Sequence, residues 1–364
     1  MASSTPSFTA TFKEFPDTLR FAFLLAVGFM IFIIWDQWYW WNTREDYSFG
    51  FLVPLFVAYV IFDRWEQIVG LVKGDEAKKV HAEKTSRLPT WLETLLRAAA
   101  WTAIIGGSLL FFAGALIRAG GGAQNPASLS IALGFGVILL PIIFLNSPHG
   151  YVGEEKPDNW WQALWQDRRV QLTGLFIFVA FIWIISAPMT SFLEKKLNVF
   201  LLAKVTTVVV FVFDMGGFPL EQRANVLVLP NGSEVGVAEA CSGIRSLTAC
   251  LFAGSFLGAV FLNKYWKKVA LIGVAMCLAV FTNLLRSLFL TSWAYRYGAD
   301  AIGGFVHDAA GYAVLGLTCI GLICLLPIFN FQFKFEEIDE DWEDDEEADE
   351  KEGALELETA GKAD

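Results

Sequence analysis

The feature that most constrains this chain is a succession of apolar segments about 20 residues long, separated by short polar or charged connections. A segment of that length suits one purpose above others. About 20 mostly apolar residues in helical form cross the roughly 30 Å hydrocarbon core of a bilayer with every backbone group bonded internally. With 55% hydrophobic and 15% aromatic residues, a 364-residue chain also lacks the polar surface to stay in water. The fold class expected is therefore an all-α polytopic membrane protein. Met1–Pro16 is polar and has no apolar core ending in small residues, so residues 1–17 are read as a cytoplasmic N-terminal segment and not as a cleaved leader.

The first span is expected at 18–35, closed by the aromatic belt Trp35, Trp38, Tyr39, Trp40 and Trp41. The stretch Asp46–Pro54 leads into a second, which ends near Asp63-Arg64-Trp65; a third is expected over 95–117, a fourth over 128–146 and a fifth over 171–187. The loop 66–91 carries Lys73, Lys78, Lys79, Lys84 and Arg87 against Glu66, Asp75 and Glu83, which places it in the cytoplasm by the positive-inside rule. Loop 147–170 falls on that same side, and His81 and His149 are read as solvated residues of these two loops. Further spans are expected at 242–262, 269–290 and 307–329, with a basic cytoplasmic turn at Asn263–Lys268.

One segment breaks the count. Residues 197–213 are apolar enough to cross, but a crossing there would put Cys241 and the basic turn at 263–268 on incompatible sides. Lys195, Lys196 and Lys204 also make it the weakest span, so it is read as interfacial or re-entrant. That leaves about eight transmembrane helices with both termini cytoplasmic. Residues 225–237, with Val/Leu runs around Pro230-Asn231-Gly232, read as a small extracytoplasmic β-hairpin.

The net charge of −11 is concentrated at one end. Residues 336–364 hold 16 Asp/Glu and two Lys, while the rest of the chain has 25 Lys+Arg against 22 Asp+Glu. The segment 330–364 is thus a disordered acidic cytoplasmic tail on a nearly balanced membrane body at 18–329, and no nucleic-acid site is implied.

The chemistry gathers in three places. Cys241, Ser242 and Gly243 stand where a polar segment gives way to an apolar helix; a thiol at a helix start is biased toward thiolate. Arg286 lies one turn before the end of the outward span, with Asn283 three residues earlier on the same face. His307 opens the last span. Each alone has an ordinary reading: Cys250, Cys277, Cys319 and Cys324 lie in apolar runs as packing, an interfacial Arg snorkels, and a lone His is often structural. Their coincidence at one membrane level is what matters. Together they are a nucleophile, a base that titrates near neutrality, and a permanently charged donor for an oxyanion. Arg245, one turn past Cys241, either lowers the thiol pKa or binds lipid phosphate. No Cys/His spacing suggests a metal, and no cofactor is expected.

At these residues the chain resembles the exosortase/archaeosortase family of membrane sorting enzymes. The match runs through Ala240-Cys241-Ser242-Gly243-Ile244-Arg245-Ser246-Leu247, Asn283-Leu284-Leu285-Arg286, and His307 with Gly311 four residues on. Asp46-Tyr47-Ser48-Phe49-Gly50-Phe51-Leu52-Val53-Pro54 is similar to the family's Tyr-Ser-His-Gly…Pro signature, departing at Phe49, where exosortases commonly carry His. The resemblance covers about residues 35–329, with the catalytic part at about 190–329. It implies a cysteine protease/transpeptidase at the extracytoplasmic face of the cytoplasmic (inner) membrane. Exported proteins bearing a C-terminal sorting signal, such as Pro-Glu-Pro followed by a transmembrane helix and a basic cluster, would be its substrates. In that reading Cys241 is the nucleophile, His307 the general base and acid, and Arg286 the oxyanion or substrate stabiliser. Asn283, Arg245, Ser242 and Gly243 support them, and an envelope glycolipid or other amine-bearing component is the acceptor. Two other readings remain: a solute transporter in which Arg286 and His307 bind an anion, and a non-catalytic factor in envelope polysaccharide export.

Overall fold

The computed structural model describes residues 8–76, 78–83, 86–153, 157–224, 226–230, 232–236 and 244–330. The expected acidic tail, Cys241, Ser242, Gly243 and the hairpin-tip residue Asn231 lie outside the described residues.

A short helix α1 (Phe8–Lys13) precedes α2 (Asp17–Thr43). The sequence reading took this N-terminal stretch only as polar, but Phe8 and Phe15 pack on Trp65, with ring centroids at 4.2 and 5.7 Å. A 3-10 helix at Glu45–Leu52 leads straight into α3 (Val53–Asp63), which has Pro54 in its first turn, where no intrahelical donor is lost. α4 (Trp65–Lys73) and strand β1 (Val80–Ala82) follow. Next come α5 (Thr90–Gly121), α6 (Asn125–Asn146), strand β2 (Gly150–Val152), α7 (Trp160–Gln166), α8 (Arg168–Leu175) and α9 (Ile177–Ser186).

α10 (Ser191–Met215) is followed by strands β3 (Glu221–Arg223), β4 (Val226–Val228) and β5 (Glu234–Gly236), then α11 (Ile244–Phe261), α12 (Tyr265–Tyr297) and α13 (Phe305–Asn330). Among the described residues, nine helical segments are long and apolar enough to cross a membrane, Ser191–Met215 included.

Contacts at the helix ends give the bundle two distinct faces. At one, Phe15 meets Trp65, Arg64 donates to Leu175 O and Ala259 O, and Lys267 donates to Phe329 O. This face therefore gathers the start of α2, the ends of α3, α11 and α13, and the start of α12. At the other, Arg44 pairs with Glu194, and the Asn125 amide donates to Met189 O at 2.7 Å.

α10 begins at this second face, beside Arg44, and ends there too: Phe213 lies 6.0 Å from Tyr295, in the last turn of α12. Its buried stripe of Leu202, Val205, Val209 and Phe213 packs against Leu290 and Ala294. Length and composition would let α10 cross, but both its ends reach one face. The other eight segments run from face to face, as the charge balance requires.

The hairpin forms as expected. β4 and β5 pair antiparallel with Leu227 opposite Val235, and Leu229 N donates to Ser233 O across the turn. The structure adds β3 on the outer side of β4. Leu227, Leu229 and Val235 bury one side of this sheet against α10 and α12, so its apolar face is covered by helix ends. A second pairing, β1 with β2, joins the two loops of the opposite face. Within the bundle, α5 and α6 approach closely enough that a Cβ at Gly134 would come within 2.6 Å of Phe111 N, the small-residue contact by which helices pack in lipid.

Candidate active site

α12 and α13 build the polar centre. Arg286 lies on the face of α12 turned to α13, and its Nη2 is 3.0 Å from Nε2 of His307, 21 residues away in the chain. The same nitrogen reaches His307 O at 3.5 Å. Gly311, one turn past His307 on α13, makes room for this arrangement: a Cβ there would stand 3.5 Å from Arg286 Nη2 and 3.7 Å from its central carbon. Lower down, Thr282 and Thr318 share a hydroxyl contact of 2.9 Å that ties the two helices together.

A guanidinium can only donate, so Nε2 must be the accepting nitrogen of a neutral imidazole. The proton then sits on Nδ1, which is 3.2 Å from Asp308 Oδ1 and donates to it. Arg286 thus fixes the tautomer from one side and Asp308 from the other. Two polar atoms at this centre have no hydrogen-bond partner among the described residues, Asn283 Oδ1 and Arg286 Nε, both buried. Asn283 is only 3% exposed. Buried polar groups are nearly always bonded, so these two unpartnered atoms set the centre apart from ordinary packing.

α11 begins at the same face. Arg245, in its first turn, pairs with Glu45 and stands 3.6 Å from Asp46 Oδ1, while Thr248 Oγ1 donates to Asp46 O at 3.1 Å. Arg245 is thus answered by two carboxylates, where the sequence reading gave its charge to the thiol or to a lipid phosphate. The 3-10 segment that supplies them is itself locked. Tyr47 is fully buried, with its hydroxyl accepting from Met189 N at 3.0 Å, and a Cβ at Gly50 would land on the Trp41 indole. Phe49 packs on Phe252 of α11, ring centroids 5.0 Å apart. The signature-like stretch Asp46–Pro54 is therefore the brace that holds the first turns of α11.

The structure accordingly brings Asn283, Arg286 and His307 together and places Arg245 on the face to which they belong. Cys241, Ser242 and Gly243 precede Ile244, the first residue of α11, and are outside the described residues. Sequence reasoning missed Asp308, Glu45 and Asp46. The available signal was a carboxylate adjacent to the histidine and an acidic pair heading the signature-like stretch.

The remaining histidines serve the opposite face. His81 stacks on Tyr151, ring centroids 4.7 Å apart. His149, expected to be solvated, is half-buried, because Arg168 and Arg169 fold in beneath its loop. Burial first, and the Arg169 charge second, hold its pKa below the usual 6.5.

A family model described as transmembrane exosortase matches residues 40–324, well over half of the chain. No curated protein and no solved structure matches. The matched span includes the 3-10 brace, α11, and the helices that carry Arg286 and His307. On that match, the chain belongs to the transmembrane exosortase family.

Proposed function

We propose that this exosortase is a cysteine transpeptidase that cleaves a C-terminal sorting signal from exported proteins, with Cys241 as nucleophile, His307 as base and acid, and Arg286 as oxyanion donor. The observation that carries the reading is the 3.0 Å contact between Arg286 and His307, made by residues on different helices at the face where α11 begins. A base with a fixed tautomer and a permanently charged donor beside it are what acyl transfer by a thiol requires.

The steps follow from these groups. His307 Nε2 takes the Cys241 proton as the sulfur attacks the scissile carbonyl, and the new oxyanion accepts hydrogen bonds from Arg286. Collapse breaks the C–N bond, the imidazolium returns its proton to the departing amine, and a thioester remains on Cys241. The acceptor, an amine-bearing envelope component such as a glycolipid, or water, then gives its proton to Nε2 and displaces the thiolate. Arg286 occupies Nε2 in the resting arrangement. Substrate must therefore draw the guanidinium from the imidazole to the carbonyl before the base is available.

Side of the membrane follows from charge. The face opposite His307 carries Lys73, Lys78, Arg87, Lys264, Lys267 and Lys268, which favours a cytoplasmic position. The reactive face is then extracytoplasmic in the inner membrane, where exported proteins arrive. The test is to co-express Cys241→Ala with a tagged secreted protein ending in such a signal. Full-length, unprocessed protein is expected. Processing at the wild-type rate would remove the peptidase assignment and favour anion binding by Arg286 and His307.

A further inference from the structure

A cavity among the described residues lies at the opposite face from His307, between α4, α5, α6 and α8. Its volume is about 920 Å³. Ala99, Ala100 and Ala103 of α5 line it with Leu140, Pro141 and Phe144 of α6, all apolar. Lys78, Gln67, Gln171, Thr173 and Tyr265 add polar side chains to the lining. Trp165, Ile177 and Tyr265 are 47%, 45% and 49% exposed, so the wall reaches the protein surface. Protein interiors hold few voids larger than a water molecule, and water has nothing to bond along such a wall. A space of this size is filled by something apolar.

One detail specifies the occupant. Lys78 Nζ is 4.0 Å from Asp75, too far for a hydrogen bond, and so keeps its donors for another anion. The lining thus combines a cation with a wall that is mostly hydrocarbon. Basic pockets between transmembrane helices at a cytoplasmic boundary hold anionic lipid headgroups.

We infer that this cavity is a dedicated site for one glycerophospholipid of the adjoining leaflet. The phosphate lies at Lys78, and an acyl chain runs along Ala99, Ala103 and Leu140. The site lies at the far end of the bundle from Arg286 and His307, so it is independent of the proposed reaction. By position it buttresses the α5–α6 pair against α8.

The full-length wild-type protein, purified in mild detergent, is photolabelled with phosphatidylglycerol carrying a diazirine on its acyl chain. Labelled peptides are then mapped. Label concentrated on Ala99, Ala103, Leu140 and Phe144 is expected. Label spread over the exposed residues Leu95, Ile105 and Leu109 of α5 would mean ordinary boundary lipid and overturn the inference. Native mass spectrometry supplies the second arm. Wild-type protein should retain one phospholipid per chain, Ala103→Trp should lower that occupancy at least tenfold, and Lys78→Gln should erase the preference for phosphatidylglycerol over diacylglycerol. Equal lipid retention by wild type and Ala103→Trp, or detergent as the sole retained amphiphile, counts against the site. Should Ala103→Trp not fold, the photolabelling of wild-type protein decides alone.

Discussion

The two faces of the bundle use the same residue types to opposite ends. At the face of β1 and β2, Arg169 is 3% exposed and donates to Glu93, Asp167 and Ser86 at 2.6–3.1 Å. Arg168 beside it donates to the carbonyls of Leu71 and His149, with its buried Nη2 left without a partner among the described residues. At the other face, Arg286 meets only His307 among the hydrogen bonds found, and its Nε and the neighbouring Asn283 Oδ1 stay open. A saturated arginine holds elements in place, because its geometry is determined from every side. An arginine with spare donors beside a histidine has bonding capacity for something that arrives later. The contrast between Arg169 and Arg286 is thus one of surroundings: carboxylates fill the donors of the first, while the second keeps donors beside a histidine.

Mutation can break that contrast. The largest effect on stability should come from Arg169→Ala, which leaves Asp167 buried without its cation and half-buried Glu93 with only Arg97 at 3.8 Å; breaking a buried pair costs about 3–5 kcal/mol. Loss of folded protein, read by detergent-solubilised size-exclusion chromatography, is expected. A well-folded Arg169→Ala protein would mean that the cluster is not the clamp described. Arg286→Ala should do the reverse, leaving the thermal midpoint near wild type while signal processing falls about 10²–10³-fold, as for loss of an oxyanion donor. A midpoint drop as large as that of Arg169→Ala would put Arg286 in the structural class.

A smaller effect sharpens the comparison at the reactive face. Glu45→Gln with Asp46→Asn removes the partners of Arg245, which is 59% exposed by side chain. Such exposed pairs contribute about 0–1 kcal/mol, so the fold should persist. Processing should nevertheless drop about tenfold if the brace aligns the start of α11; unchanged kinetics would reduce the brace to packing.

The smallest effect belongs to His149. Its folded pKa lies below the unfolded value of 6.5, so the neutral form is favoured by folding. That stabilisation is present above pH 6.5 and is lost as pH falls through the folded pKa. A thermal midpoint measured from pH 7.5 to 5 should decline slightly more in wild type than in His149→Gln. Parallel curves would show that the histidine is solvated after all.

The spans were legible because apolar length is a property of contiguous residues, and the hairpin because Pro230-Asn231-Gly232 sits between Val/Leu runs. The placement of α10 was legible for a different reason, since charge on both sides of it left one consistent count. What escaped the sequence is made by residues far apart in it. Arg245 meets Glu45 across 200 positions, and His81 pairs with Tyr151 across 70. No periodicity encodes either. Thr173 and Lys78 likewise look unremarkable until folding sets them on one cavity wall.

The placement of α10 has a consequence for how the protein is made. A chain threading into a bilayer is sorted segment by segment, and α10 is apolar enough to be retained as a span. It must instead be let through, so that α9 delivers and α11 receives the chain on one side. Lys195, Lys196 and Lys204 are the charges that oppose its retention. Were they replaced by leucines, α10 would be expected to lodge in the bilayer and everything after it to enter upside down. His307 and Arg286 would then still find each other, facing the opposite compartment.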